Sequence, residues 1–418
     1  MHYERLVRLV FAGAVMGCVL GANVARAEGG TPFDSVDDDV DSAPQGAVWD
    51  FSKPLWIFFA QERLLAPETP VGEAIPRAAV AGLRPAGEKA RWFFIIAGIG
   101  YLALYHVERD SWEFESSLFT MLMPLGSVVY DDGREVPGEQ VDSSWADVSL
   151  RLQKTFGGEG EPRFRIGGEY QYAYRDYVAN DVTDATFTLP DDTGASLLNA
   201  RMSFDTRSRG MTGDFVRGVE FEIGAVSEKR MEWNAWGPAG ALYDDPDAQE
   251  SATYYGSLEF HHALDEQKQF VLHTKFRGGV GHNLDRLTYM RLGGGGFGRQ
   301  FDRVGAGSTG AANDGELFRS DGVPGYFGGE FFTDSFAQVN VELDIPAGGL
   351  ARHHVSAAYA AFQDVQVDEW RELLGFAYGY TRIYNFEKAI RLDVGYSPRP
   401  EGAFADTGDV TFTYISKF

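Results

Sequence analysis

The last eleven residues, Gly408 to Phe418, constrain the fold more than any other stretch. Val410, Phe412, Tyr414 and Phe418 share one parity, and Asp409, Thr411, Thr413 and Lys417 share the other. This two-residue period belongs to a strand whose faces meet different surroundings. Ile415 and Ser416 break it near the end. The preceding stretch repeats it more cleanly, with Ile390, Leu392, Val394 and Tyr396 opposing Arg391, Asp393, Gly395 and Ser397. In water such an end is a sticky edge. In a closed barrel crossing a bilayer it is a seam strand, apolar face to lipid and polar face to the lumen.

From Trp92 onward the alternation recurs. Strands are expected at about 93–106, 115–129, 145–156, 163–177, 197–207, 216–230, 252–263, 269–281, 335–346, 353–363, 372–384, 388–398 and 408–418. Phe164, Ile166, Tyr170, Tyr172 and Tyr174 oppose Arg165, Glu169, Gln171 and Arg175; Val339, Val341, Leu343 and Ile345 oppose Gln338, Asn340, Glu342 and Asp344. Strands this long suit a tilted membrane crossing better than a soluble sandwich. No apolar run after the N-terminus reaches the roughly eighteen residues of a membrane helix; Trp92 to Tyr105 comes nearest and contains two glycines. A mean hydropathy of −0.24 with 50 Gly and 14% aromatics fits a barrel, because only half of each strand needs to be apolar. The expected class is therefore all-β, a transmembrane antiparallel barrel.

Loop lengths orient it, since bacterial barrels keep short turns in the periplasm and long loops outside. Links near Asn385, near Gly348 and at Asp265–Lys268 are short; those at Asp131–Ser143, Ala179–Ala195, Glu232–Ser251 and His282–Asp334 are long. Thirteen strands do not close with both ends in the periplasm, so Trp56 to Phe59 supplies a fourteenth; a missed pair makes sixteen.

Residues 1–27 read as a signal peptide: Arg5 and Arg8, an apolar run from Leu9 to Leu20, then Ala25-Arg26-Ala27 for cleavage. The expected localisation is the outer membrane of a Gram-negative cell. Cys18, the one cysteine, lies in this leader, and Val15 to Cys18 faintly resembles a lipoprotein box. Residues 28–91 read as a periplasmic segment or linker containing that one extra strand; Asp37, Asp39 and Asp41 lack the glycine and glutamate of a calcium loop. Residues 92–418 are then the barrel. The formal charge is −24, about −26 once the leader's +2 is removed, which argues against nucleic acid as a partner.

Four stretches from Leu197 to Phe418 carry a family likeness. They are Phe204-Asp205-Thr206-Arg207 with Gly218-Val219-Glu220-Phe221; Leu292-Gly293-Gly294; Val323-Pro324-Gly325-Tyr326; and Glu342-Leu343-Asp344-Ile345-Pro346. Together they resemble the bacterial surface antigen family, the barrel half of the outer-membrane assembly-factor superfamily, whose better-known members insert other barrels or secrete a partner protein. The resemblance implies that Gly325 and Tyr326 form the tip of a long sixth extracellular loop folded into the lumen, with five strands after it. It implies that Glu342 accepts the tip's arginine, and that Asp205 and Arg207 pair at a strand end. Pro324 stands where the family has that arginine, so Arg319 or Arg299 takes its place or the lid is held otherwise. It also implies that Phe412, Tyr414 and Phe418 form an assembly signal read by the barrel assembly machinery. Residues 28–91 are too short and irregular for the family's periplasmic client-binding domains.

Sites for chemistry are few. Gly293, Gly295 and Gly298 satisfy G-x-G-x-x-G without the strand and helix a nucleotide site requires. Ser308 lies in Ala306-Gly307-Ser308-Thr309-Gly310, an incomplete nucleophile elbow. His261-His262 and His353-His354 are adjacent pairs whose members point to opposite faces of a strand and so do not jointly bind a metal. Asp244, Asp245 and Asp247 are either a solvated loop or a site sharing divalent cations with lipopolysaccharide. Tyr170, Tyr172, Tyr174, Tyr378 and Tyr380 suit an interfacial girdle. The expectation is a non-enzymatic barrel without cofactor or metal. It inserts or translocates a protein client or a lipid, amid outer-membrane lipids and lipopolysaccharide. A passive diffusion channel is the alternative, and a rim lipase the third.

Overall fold

The computed structural model describes residues 55–63, 75–85, 90–97, 100–109, 111–127, 130–131, 134–157, 162–209, 215–267, 269–293, 322–326, 331–384, 388–398 and 407–417. All of them belong to the second of two units, Gly46–Phe418. The expected leader with Cys18, the Asp37–Asp41 run, Gly295, Gly298, Arg299, Ser308, Arg319 and Phe418 lie outside the described residues.

Among the described residues sixteen strands follow one another round the sheet. They are β1 (Leu55–Arg63), β2 (Ile75–Pro85), β3 (Ala90–Ala97), β4 (Gly100–Arg109), β5 (Trp112–Ser127), β6 (Val141–Phe156), β7 (Arg163–Ala179) and β8 (Thr193–Asp205). Then come β9 (Phe215–Arg230), β10 (Glu250–Ala263), β11 (Val271–His282), β12 (Phe331–Pro346), β13 (Ala351–Asp364), β14 (Glu369–Tyr384), β15 (Lys388–Ser397) and β16 (Thr407–Lys417). Two short pieces, Ser208–Arg209 on β9 and Met290–Leu292 on β12, complete the eighteen strands of the sheet. Sequence neighbours pair antiparallel, and β1 pairs with β2 on one side and β16 on the other, Ile57 lying opposite both Ala79 and Ile415. The ladder thus returns to its first strand, and the two seam strands cover each other's edges.

Burial is inverted relative to a water-soluble protein. In β6, Val148, Leu150 and Leu152 are 51%, 50% and 50% exposed, while Ser149, Arg151 and Gln153 between them are 4%, 4% and 5% exposed. The same inversion holds in β7, where Ile166, Tyr170, Tyr172 and Tyr174 point out and Arg165, Glu169, Gln171 and Arg175 point in. An apolar skin over a polar interior is the signature of strands facing hydrocarbon outside and a lumen within.

Two expectations are corrected. The strand number is sixteen, the count a missed pair allows, rather than fourteen: the stretch expected at 93–106 is two strands, β3 and β4, with Gly98 and Ile99 between them, and β2 is the other addition. The region 28–91 is not a linker with one strand: β1 contains Trp56 to Phe59, and β2 lies in the Pro/Ala-rich stretch and pairs with both β1 and β3. Ala78, Ala79 and Ala81 give β2 little contrast between its faces, and Pro76 and Pro85 sit near its two ends, where missing amide donors are tolerated. The barrel sheet therefore starts at Leu55 among the described residues, not at residue 92.

Candidate functional site in the barrel lumen

The described parts of the connections 127–141, 179–193, 230–250 and 282–331 lie at one end, and there they pack on each other. Phe187, Trp236 and Tyr243 form a ring cluster with centroids 6.3 and 4.7 Å apart, and Thr188 exchanges backbone hydrogen bonds with Gly237. Arg286 donates to the carboxylate of Glu139, and Arg230 donates to Asp285 at 2.9 Å. The amide and hydroxyl of Thr186, both donating to Asp184, hold that exposed carboxyl below its usual range. Of the three candidate aspartates here, Asp245 caps the short helix Pro246–Gln249 and accepts from the Asp247 amide at 3.0 Å, a local structural use.

Residues 322–326 belong to the longest of these connections, and they lie on the lumenal wall. Asn340, inward on β12, donates to the Gly322 carbonyl at 2.9 Å, and the Val323 amide donates to the Gly293 carbonyl at 2.8 Å. Val323 and Tyr326 are buried in an apolar cluster with Met290, Leu292, Phe331 and Phe362, Tyr326 meeting Phe331 edge-on at 5.9 Å. Glycine makes this seat possible. Gly325 has φ +82, and a Cβ there would lie 2.4 Å from the Ser397 amide nitrogen at the end of β15. A Cβ on Gly375, inward on β14, would lie 2.1 Å from the Pro324 carbonyl oxygen. The tip thus touches β12, β14 and β15 at once.

Toward the short-turn end the wall carries a belt of charged and imidazole groups. Glu342 accepts from Arg391 at 2.9 Å, and Arg391 also reaches Asp393 at 2.6 Å. Asp344 meets His354 Nδ1 at 2.7 Å, His273 Nε2 at 3.2 Å and Arg352 at 3.2 Å. His273 Nδ1 is 2.7 Å from His261 Nδ1. The belt continues through Glu259 to Arg207, whose guanidinium also reaches Asp205 at 3.1 Å and Glu220 at 2.9 Å. These are charge-assisted contacts in a shielded wall, most of them joining a strand to its neighbour, and the Arg391–Glu342 contact reaching three strands, from β15 to β12.

Asp205 and Arg207 are therefore brought together at the end of β8, within a larger network. Glu342 has Arg391, from the wall itself, as the guanidinium beside it; the loop arginines proposed to fill that role lie outside the described residues. Phe412 and Tyr414 sit on β16 opposite Ala60 and Phe58 of β1. His261 and His354 face the lumen and are buried, whereas His353 lies on the other face against the Tyr378 ring. What sequence reasoning missed is the meeting of histidines from different strands with Asp344. Inward parity marks each of them, but only the register puts them side by side.

These features define a class: a membrane-spanning β-barrel with a loop tip lodged in its lumen. No family profile and no curated protein matches the sequence. Among solved structures the chain is similar to CdiB from Acinetobacter baumannii, with TM-score 0.59 and 11% identity over 88% of this chain and 60% of that one. It is similar to CdiB from Escherichia coli, with TM-score 0.57 and 11% identity over 88% and 63%. BamA from Haemophilus ducreyi lacking POTRA domains 1-3 gives TM-score 0.54 and 11% identity over 88% and 70%. This chain spans less than two thirds of either CdiB chain. At such identity the shared property is the fold, the outer-membrane barrel, and the five strands β12 to β16 after the tip agree with the count the family resemblance implied.

Proposed function

We propose that the chain is a lidded outer-membrane barrel that inserts or translocates a protein client, or a lipid, rather than a passive pore. The observation that carries this is the tip, Val323 to Tyr326, seated across β12, β14 and β15 inside the lumen, where a diffusion channel needs open water. The fold likeness to CdiB and BamA supports the same reading. Its partners are a protein client, the lipids and lipopolysaccharide around the skin, and the assembly machinery that inserts the barrel itself. The reading contains no catalytic step and needs no cofactor.

Two experiments test it. In planar bilayers the wild-type protein gives small, erratic currents; steady, large, ohmic openings would establish the passive channel instead. Deleting the gene from its host removes a particular barrel or exported protein from the envelope or medium; an unchanged envelope and secreted proteome would reject the insertion role. Release of fatty acid abolished by Ser308→Ala would instead establish the rim lipase.

A further inference from the structure

We propose that Glu342, Asp344 and His354 form a site for one divalent transition-metal ion of the zinc type on the lumenal wall. The backbone builds it. Asp344 on β12 and His354 on β13 are direct cross-strand partners, and Glu342 lies two residues along β12 on the same inward face. One ligand atom from each falls within 4.8 Å of the others, and all three residues are buried. His354 Nδ1 stands 2.7 Å from an Asp344 oxygen and 3.7 Å from a Glu342 oxygen. Tetrahedral zinc with ligands at about 2.0–2.2 Å holds donor atoms roughly 3.4 Å apart, so side-chain shifts of under about 1 Å admit the ion.

The surrounding groups orient these donors. His354 Nε2 is 2.7 Å from the Thr381 hydroxyl; when an ion displaces the Nδ1–Asp344 hydrogen bond, that hydroxyl oxygen accepts the Nε2 proton and the Nδ1 lone pair turns to the ion. The second Asp344 oxygen faces His273 Nε2 at 3.2 Å, with His261 behind His273 at 2.7 Å. Local charge permits a cation, since three carboxylates, Glu342, Asp344 and Asp393, face two guanidiniums, Arg391 and Arg352. Arg391 keeps Asp393 when Glu342 turns to the ion. Two carboxylates with one imidazole form a mixed donor set suited to zinc and its neighbours rather than to calcium, which takes oxygen alone. An ion here ties β12 to β13 directly below the seat of the loop tip.

The test uses the full chain, folded in detergent, stripped with chelator and titrated with Co2+. One saturable equivalent with a ligand-field absorption, displaced by Zn2+, is expected. His354→Ala lowers the affinity at least tenfold, while His353→Ala, its neighbour on the lipid face, leaves it unchanged; heat-dependent gel mobility checks that each variant is folded. If His354→Ala does not fold, Thr381→Val keeps all three ligands and weakens binding about tenfold through the lost orientation. No saturable Co2+ on the folded wild type, or equal binding by His354→Ala or, in its place, by Thr381→Val, overturns the proposal.

Discussion

The two halves of the lumen are held by different forces. Near the long loops the filling is apolar, with Val323 and Tyr326 of the tip set among Leu292, Phe331, Phe336 and Phe362. Near the short turns it is ionic, from Asp205 and Arg207 through Glu259, His273 and Asp344 to Arg391. Lifting Val323 and Tyr326 into water costs about 1.5–3 kcal/mol each in lost burial. The hydrogen bonds from Asn340 to the Gly322 carbonyl and from Val323 to the Gly293 carbonyl add about 1 kcal/mol each. Removing one partner from a buried ion pair costs about 3–5 kcal/mol for a single contact, and the belt holds many. A tip is thus releasable at an energy that would not open the wall. The difference assigns movement to the tip, Val323 to Tyr326, and rigidity to the strands beneath it.

The sharpest way to break this contrast is to fill the tip's seat from the wall side. Gly375→Leu places carbon where the Pro324 carbonyl already lies, and that backbone has no rotamer by which to retreat. The tip is expected to leave the lumen almost completely, a population change of roughly a hundredfold or more. A Val323→Cys reporter has only Cys18 as a competing thiol in the sequence, so its labelling by an impermeant maleimide reads the release. Strong labelling before the glycine is changed would mean that the apolar half is not a seat at all.

Next in size is Arg391→Ala, which leaves the buried Glu342 and the half-buried Asp393 without their guanidinium. A loss of about 3–5 kcal/mol is expected in urea unfolding from micelles, with Arg391→Lys restoring part of it. The tip reporter should stay unlabelled while the folded barrel persists. Labelling that rises in step with the loss of stability would join the two halves into one cooperative unit and remove the distinction.

The contrast also explains what was legible beforehand. Alternation in β7, in β12 from Gln338 onward, and in β15 and β16 declares a wall with one lipid face, because polar and apolar residues mostly take opposite parities there. It fails where the lumenal side is apolar too: Trp92 to Ala97 is greasy at every position, so β3 and β4 read as one strand. The family resemblance singled out Gly325, Tyr326, Glu342, Asp205 and Arg207; Asp205 and Arg207 do meet, whereas the guanidinium beside Glu342 is Arg391 of the wall. The Arg391 contact was not legible, because β15 lies three strands from β12 and the match depends on register, strand tilt and a long side chain. The meeting of Asp344 with His273 and His354 is not legible for the same reason: sequence spacing shows only that His353 and His354 take opposite faces, and the register of β11, β12 and β13 brings the three together.

A third substitution separates the wall's two faces. Leu150→Arg on the lipid side of β6 should destabilise the barrel by about 2–4 kcal/mol if the position lies near the bilayer midplane. Unfolding in micelles or vesicles measures it. Its inward neighbour Arg151 already pairs with Glu115 at 2.8 Å, so the strand tolerates the same charge one residue away. A change near zero for Leu150→Arg would mean that water, not hydrocarbon, bathes this face.

The smallest expected effect marks where hydrocarbon stops. Tyr378 and His353 lie on the outer face of β14 and β13, their rings stacked at 5.7 Å, with the phenol oxygen 2.7 Å from His353 Nδ1. A polar pair on an apolar skin belongs at the headgroup level, where water replaces a lost partner. Tyr378→Phe should then cost under about 1 kcal/mol, since only one water-exchangeable hydrogen bond is removed. If this level were inside the hydrocarbon, the imidazole would be orphaned there and the change would cost about 2 kcal/mol or more. The measured value therefore places the bilayer edge along β13 and β14. It also shows whether the ionic belt, which begins one residue away at His354, lies at the height of the headgroups or of the acyl chains.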